Sequence, residues 1–274
     1  MAWFSDGVAV ITGAGSGMGR CLAQELAAEG MALALSDISE KGLHETAGLL
    51  QTKAKVTQHI VNVADESQVK AFAEQVKAQH GRATLLFNNA GVAVLGQFEE
   101  LSLKDFRWLM DINFWGVVYG VTYFLPLLKK EKRAQIINTS SLLGLFGASG
   151  QSAYCASKFA VRGFTESLHH ELLGTSVGVT CVHPGFVRTQ IAKNAKPGER
   201  AGSNLQHDSI ARFDRVARTD PEVAVKKILR GVERGRARIL IGVDAYFVDT
   251  WQRLRPEGYW NLLAKQFEDP GAAK

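Results

Sequence analysis

Three polar side chains stand close together in the segment S-L-L-G-L-F-G-A-S-G-Q-S-A-Y-C-A-S-K, which runs from Ser141 to Lys158. Tyr154 and Lys158 are four residues apart, so on a helix they share one face, one turn from each other. An ammonium beside a phenol favours the phenolate and lowers a pKa that is about 10 in the free side chain. A phenolate near neutral pH is a usable general base, and the phenol is the matching acid. Ser141 could hold a substrate oxygen within reach of that phenol. The plainer alternative is an amphipathic helix on which Tyr154 and Lys158 are merely surface residues. Cys155, next to the phenol, reads as a small packing residue because no histidine is placed to activate it. His169 and His170, further along the same predicted helix, read as surface residues rather than ligands.

A second stretch with chemical potential lies near the other end of the chain. Val8–Thr12 is a continuous apolar, β-branched run, the mark of a strand buried on both faces. It leads into G-A-G-S-G-M-G at Gly13–Gly19 and then into a helical pattern over Arg20–Gly30. Strand, glycine turn and helix together place a phosphate at a helix N-terminus, with glycine where the backbone must turn tightly and approach a ligand. A second buried strand, Met31–Ser36, ends at Asp37. An acid about 20 residues beyond the glycine turn suits a ribose 2′-hydroxyl and repels a 2′-phosphate. The next residue is Ile38, not a cation, and none sits inside the glycine turn. Asp37 could instead cap the helix predicted over Glu40–Leu50. Arg20, just past the turn, reads as a solvated helix residue more readily than as a phosphate contact.

Stepping along the chain, strands are expected at Lys55–Val61, Ala83–Phe87, Gln135–Thr139, Gly178–Val182 and Ala237–Val243. Helices are expected at Glu66–His80, Lys104–Lys130, Ser152–Leu173 and from Pro221 to Gly231, the last capped by Thr219 or Asp220. Pro126 should end or bend the helix Lys104–Lys130. Strands and helices alternate throughout, which predicts an α/β fold: a doubly wound, seven-stranded parallel sheet with helices on both faces. Ligands of such sheets sit beyond the carboxyl ends of the strands, where the strand order reverses.

The composition limits the classes of function. The chain has 274 residues, is 46% hydrophobic and carries a net charge of +5, so a large core is available and disorder is not expected. The basic excess is not clustered into a nucleic-acid stripe. Cys21, Cys155 and Cys181 are isolated, with no zinc spacing and no disulfide framework, which fits a reducing cytoplasm. The sequence M-A-W-F-S-D-G is not a signal peptide, and no apolar run of about 20 residues predicts a membrane span.

The spacing S-(12)-Y-x-x-x-K after the strand I-I-N-T-S-S resembles the active-site segment of the short-chain dehydrogenase/reductases, and T-G-x-x-x-G-x-G at Thr12–Gly19 resembles their cofactor loop. The likeness extends from about Val8 to Ala245. It implies an NAD(H)-dependent oxidoreductase, with NADP disfavoured by Asp37, interconverting an alcohol and a carbonyl compound. The implied catalytic residues are Asn113, Ser141, Tyr154 and Lys158. In the family, the asparagine kinks its helix and holds a water connected to the lysine. The lysine also bonds the nicotinamide ribose. Cofactor contacts are implied for Gly13, Ser16, Gly17, Met18, Gly19, Asp37, Ile38, Asn62, Val63, Tyr154, Lys158, the N-N-A-G turn at Asn89, Ala90 and Gly91, and the P-G-x-V-x-T loop at Pro184, Gly185, Val187 and Thr189. Where relatives carry Asp-Val beside the adenine, this chain has Asn62-Val63; an asparagine carbonyl can still accept that hydrogen bond. Substrate contacts are implied for Ser141, Leu143, Tyr154 and Phe186, with Leu142, Leu145 and Phe146 adding to an apolar wall, and no metal is implied. A non-catalytic nucleotide-binding regulator is the rival reading.

Residues 1–245 therefore read as one Rossmann-like dinucleotide-binding and catalytic domain. Within it, Gln190–Arg218 lacks periodicity and reads as an irregular substrate lid. Its basic residues, Lys193, Lys196, Arg200, Arg212, Arg215 and Arg218, either face solvent or select an acidic substrate. Residues 246–274 read as a C-terminal helical extension with apolar faces, Phe247, Val248, Trp251 and Leu254, then Tyr259, Trp260, Leu262 and Leu263. They pack on the body, on a second subunit or, less readily, on a membrane surface. Gly271–Lys274 should be frayed. The family likeness also implies a homodimer or homotetramer in which the helices Lys104–Lys130 and Ser152–Leu173 pair across a two-fold axis. Phe159, Phe164, Leu168 and Trp115 are the apolar candidates for that contact.

Overall fold

The computed structural model describes residue 4 and residues 6–202 and 205–259. Seven strands form one parallel sheet: β1 (Val8–Thr12), β2 (Ala32–Asp37), β3 (Val56–Ile60), β4 (Leu85–Asn88), β6 (Ala134–Thr139), β7 (Val177–Pro184) and β9 (Arg238–Ile241). Their order across the sheet is β3-β2-β1-β4-β6-β7-β9, and every pairing is parallel. The doubly wound, seven-stranded prediction is therefore correct. The order reverses between β1 and β4, so the loops after these strands diverge and leave a crevice at their carboxyl ends.

The central strands are apolar runs because both sheet faces are covered. All five residues of β1 are buried. One face carries α1 (Gly17–Ala28) and α8 (Pro221–Glu233), whose Leu22, Leu26, Ile228 and Leu229 pack with Ile11, Leu33 and Phe87. On the other face lie α3 (Glu66–His80), α5 (Gly116–Leu128) and α6 (Ser152–Glu171), with Phe72, Phe124 and Leu168 packed against Val10, Leu86 and Ile136. The helix α2 (Glu40–Gly48) follows β2. Its N-cap is Ser39, whose hydroxyl accepts from the Gly42 amide at 3.0 Å, so the capping role considered for Asp37 belongs to Ser39.

Three segments differ from the sequence expectation. The single helix expected over Lys104–Lys130 is a continuous helical run with a wider turn in its middle. It consists of α4 (Leu103–Met110), a π-turn (Asp111–Trp115) and α5. Pro126 does not end it, because the helix continues for two residues to Leu128. The segment 190–218 is not irregular. It holds β8 (Lys196–Pro197), paired with β5 (Val94–Leu95), and a three-turn helix, α7 (Leu205–Val216). Residues 203 and 204 lie outside the described residues. Finally, α9 (Val243–Leu254) begins before residue 246 and lies against the body through Ala245 and Val248; these and Tyr259, beyond the helix end, pack with Leu142, Leu145 and Phe146. Trp260, Leu262, Leu263 and Gly271–Lys274 lie outside the described residues. No helix among those described is long and apolar enough to cross a membrane.

Candidate active site

The glycine turn follows β1 and is held from three sides. Gly13 and Gly17 adopt φ of +66° and +52°, where side chains are disfavoured. The Asp37 carboxylate reaches back from the end of β2 to accept the Gly15 amide at 2.9 Å, and its other oxygen accepts the Ser39 amide at 2.9 Å. Arg20 is not simply solvated. It donates to the Gly15 carbonyl at 2.6 Å, to Glu45 at 2.8 Å and to the Thr46 hydroxyl at 3.0 Å, tying the turn to α2. Ser16 is the extended N-cap of α1, yet its side chain makes no capping bond, and the first turn carries no acid. The amides that open α1 are thus left for an external anion.

Thr12 stitches this turn to the one after β4. Its hydroxyl accepts from the amides of Asn89 and Ala90 at 3.0 Å each, and the Asn89 amide group donates to the Thr12 carbonyl at 3.1 Å. Asn88 is buried and donates to Asn138 at 2.9 Å. Asn113, fully buried in the π-turn, clasps the next backbone segment. It accepts from the Val92 amide at 2.8 Å, donates to the Val92 carbonyl at 2.9 Å and donates to Ser157 at 3.1 Å. Both amide protons are engaged by these bonds, and the oxygen keeps one lone pair.

Ser141, Tyr154 and Lys158 do come together. Ser141 leaves the end of β6 and caps a short turn (Leu142–Gly144), accepting from the Leu143 amide at 3.1 Å. It also hydrogen-bonds the Tyr154 phenol. Lys158 is buried, donates to the Thr139 carbonyl at 3.0 Å and lies 5.7 Å from the Tyr154 ring centre. The expected lowering of the Tyr154 pKa is not what these protein groups produce. Burial pushes the phenol up to about 12, opposed by the hydrogen bond from Ser141. Burial also pushes Lys158 down to about 8. Desolvation disfavours both charged forms, and the ammonium stands over the ring rather than beside the hydroxyl.

These residues open onto a cavity of about 240 Å³. Its walls include Met18, Asn89, Gly91, Ser141, Leu142, Leu143, Tyr154 and Lys158, together with Pro184, Gly185, Phe186, Val187 and Thr189 from the loop after β7. Ile191, Ala192, Ser209, Phe213 and Val216 from the segment 190–218 complete it. Thr189 also lies against Gly17. Gly13, Ser16, Gly17, Gly19, Asp37, Ile38, Asn62, Val63 and Ala90 do not line this cavity. They belong to the turns that follow β1, β2, β3 and β4. Ile38 is 70% exposed beside Asp37, an apolar surface on which a planar ring could rest. The Asn62 carbonyl is already engaged by the Ala64 amide at 3.1 Å, leaving one lone pair. The side chain of Val63 is buried against Gly116 and does not face the site.

Two supporting residues were not singled out in the sequence. Asp244, in the first turn of α9, accepts the Phe186 amide at 2.8 Å and fills the space a side chain at Gly185 would need. His183, fully buried on β7, places Nδ1 3.1 Å from the Ser141 carbonyl, while its Nε2 has no partner. Nothing marks His183 in the sequence, because H-P-G reads only as a strand end. Its ring is the neutral tautomer with Nδ1–H donating to Ser141.

The sequence profile of the short chain dehydrogenases matches residues 7–200. The chain belongs to that family. A Mycobacterium tuberculosis protein named as an oxidoreductase, SadH, is 43% identical over 268 residues, covering 96% of each chain. The 3-oxoacyl-[acyl-carrier-protein] reductase FabG of Thermotoga maritima is 32% identical over 226 residues, covering 81% of this chain and 88% of its own length. Among solved structures, a short chain dehydrogenase/reductase from Burkholderia phymatum in complex with NAD superposes with a TM-score of 0.85. It is 32% identical, over 93% of this chain and 95% of that one. As a family oxidoreductase, the chain binds a nicotinamide nucleotide, and the glycine turn, uncapped α1 and open sheet edge fit such a group.

Burial lowers the His183 pKa from 6.5 to about 4, against the opposing pull of the Ser141 carbonyl. A depressed folded-state pKa leaves the unfolded chain binding more protons below pH 6.5. The His183 contribution to stability is therefore whole above that pH and is lost as the pH falls towards 4. The loss should reach about 3 kcal/mol. Denaturant midpoints between pH 7 and 4 should fall more steeply for the unmutated chain than for His183→Asn; parallel slopes would refute the buried neutral histidine.

Proposed function

We propose that the chain is an NAD(H)-dependent oxidoreductase that interconverts an uncharged, apolar secondary alcohol and its ketone. The observation that carries the reading is the Tyr154 phenol, hydrogen-bonded to Ser141, at the wall of a cavity in which Lys158 is the sole charged lining side chain among the described residues. Apart from Lys158, which is bonded to Thr139, an acidic substrate has no cationic partner among the lining residues. Of the lid cations, Lys196 bonds Asp105, Arg200 the Glu99 carbonyl and Arg215 the Ala211 carbonyl.

In alcohol oxidation the Tyr154 phenolate accepts the hydroxyl proton as the carbon–hydrogen bond gives up its electron pair as hydride, leaving the ketone. In reduction the phenol returns that proton to the carbonyl oxygen. Ser141 hydrogen-bonds the reacting oxygen and fixes it beside the phenol. When bound, the nicotinamide supplies the hydride acceptor or donor and, in its oxidised form, a positive charge that offsets the burial penalty on the phenolate. Lys158 is anchored by the Thr139 carbonyl, and its remaining protons would be free for the nicotinamide ribose. The amides opening α1 would hold the pyrophosphate, Ile38 would support the adenine, and the loop 184–189 would meet the nicotinamide. Phe213 stands 6.1 Å edge-on to Phe186, and with Ile191 and Val216 it forms the roof that closes over substrate and excludes water. Three buried free thiols support a cytoplasmic setting.

Tyr154→Phe should bind NAD nearly as before while losing roughly 10²–10⁴-fold or more in turnover across an alcohol and ketone panel followed by reduced-cofactor absorbance. Retention of a tenth of the rate would remove Tyr154 as the acid/base group.

NAD should exceed NADP in kcat/KM by about 10- to 100-fold, because the Asp37 carboxylate meets the 2′-phosphate with like charge and Arg20 is committed to Glu45. Asp37→Ala should narrow that ratio while also weakening NAD, since the Gly15 amide loses its acceptor. Equal efficiency with both cofactors in the unmutated chain would refute this.

A homodimer or homotetramer is expected, built on the exposed Trp115 and Phe159, which are 44% and 40% accessible. Leu168 is buried within the chain and drops out of that surface. A monomeric mass by light scattering at micromolar concentration would overturn the assignment.

A further inference from the structure

The segment that roofs the cavity is fastened to the body at one unusual point. Asp105, the third residue of α4, is a fully buried carboxylate. One oxygen accepts from the Lys196 ammonium at 2.7 Å. The other accepts from the Glu199 amide at 3.0 Å, the Ser102 amide at 3.1 Å and the Ser102 hydroxyl at 3.0 Å. The same group therefore closes the capping box of α4 and grips β8 at Lys196 and the chain just beyond it at Glu199. Burial by itself would raise this carboxyl's pKa. The hydrogen bonds from Lys196, Glu199 and Ser102 outweigh burial and hold it well below the ordinary carboxylate range.

Around this grip, the strap 196–200 runs along 93–100. The amides of Lys196, Gly198 and Arg200 donate to the carbonyls of Ala93, Leu95 and Glu100 at 3.0, 2.8 and 3.0 Å. A side chain on Gly198 would collide with the Glu100 carbonyl. The Lys196 ammonium also lies 5.6 Å over the Trp108 ring. The residues just before the strap hold α7: the Gln206 amide group donates to the carbonyls of Lys193 and Ala195 at 3.1 Å each, and Ala195 adjoins Lys196. Beyond Gln206, α7 contributes Phe213 and Val216 to the cavity.

We propose that Asp105 is a positioning residue that sets substrate specificity: through Lys196, Glu199 and Gln206 it fixes the height of the α7 roof, and thereby selects apolar substrates large enough to reach that roof. It touches neither substrate nor cofactor, and it acts wholly through the strap. The inference rests on the ketone–alcohol reading of the site for its kinetic arm alone.

The test uses the full chain with Asp105→Asn and Lys196→Met. Asparagine keeps the shape but turns a donor towards the ammonium or the amides, while methionine keeps the stem over Trp108 without the charge. Both variants should raise KM for a ketone with a bulky apolar substituent at least about tenfold, the loss expected for a buried charged hydrogen bond. KM for a short aliphatic ketone, kcat for both ketones and the dissociation constant for NAD should hold within about twofold. Amide exchange should quicken in 193–200 and 205–216 and stay as it was in β1, β4 and β6. The double variant should show less than additive losses, because both substitutions break one contact. Equal losses for short and bulky ketones, or unchanged exchange in the strap, would overturn the assignment. If no ketone is turned over by the unmutated chain, the proposed reaction fails while the exchange arm still decides the strap.

Discussion

The Lys158 ammonium, buried at the carboxyl end of β6 and bonded to the Thr139 carbonyl at 3.0 Å, is the contact on which the site depends. Taking an ammonium out of water is costly, and the cost appears as a pKa pushed down to about 8. The fold bears that cost because α6 is locked to β6 by other bonds. The Ser140 hydroxyl donates to the Lys158 carbonyl at 2.8 Å, and Asn138 donates to Thr165 at 3.1 Å. With α6 so placed, Tyr154 falls beside Ser141 without further adjustment. The placing of Tyr154 beside Ser141, on which the proposed acid–base role rests, is thus a consequence of how one helix is seated on one strand end.

The same strand ends hold the neighbouring turns in register. Thr12 joins the glycine turn to Asn89 and Ala90, and Asn113 joins the π-turn to Val92 and, through Ser157, to α6. Ser157 donates in turn to the Tyr154 carbonyl at 2.8 Å. The chain of contacts Val92–Asn113–Ser157–Tyr154 explains why the long helix carries a π-turn at this point. The wider turn presents Asn113 to Val92 on one side and Ser157 on the other, and such π-bulges are frequent at functional sites. His183 and Asp244 add the last two supports, one under Ser141 and one under the loop bearing Phe186.

Much of this was legible in the sequence because it is written in local patterns. Val8–Thr12 shows a doubly covered strand by its unbroken apolar run, and alternation of such runs with helical periods gives the parallel sheet. Tyr154 and Lys158 declare a shared face by spacing alone. What was not legible depends on contacts distant in sequence or on the balance of burial and charge. The helix Leu205–Val216 was missed because Phe213 and Val216 form a narrow apolar stripe in a polar setting, and that stripe faces a cavity rather than a core. Ser39 takes the cap that was the alternative reading for Asp37, while Asp37 turns back to Gly15, 22 residues earlier. The Tyr154 pKa moved opposite to expectation because helical spacing fixes which groups are neighbours but says nothing of how dry they are.

The two walls of the cavity are built with unequal rigidity, and this bears on how such a site divides its labour. The proposed cofactor side is made of turns pinned to sheet strands by Thr12, Asp37 and Asn89 and to α9 by Asp244, so its geometry largely follows the most buried part of the fold. The roof hangs from a two-residue strand pair and one buried carboxylate, with α7 held at its start by Gln206 and at its end by the return of the chain to Thr219 beside Val187. Segments with few buried contacts open at lower free energy than core strands. The proposed reaction needs a hydride and a proton to move between groups whose spacing is closely fixed, which the pinned wall would supply. A substrate must enter and leave past the other wall, which only a separately fastened roof allows without disturbing Ser141, Tyr154 and Lys158.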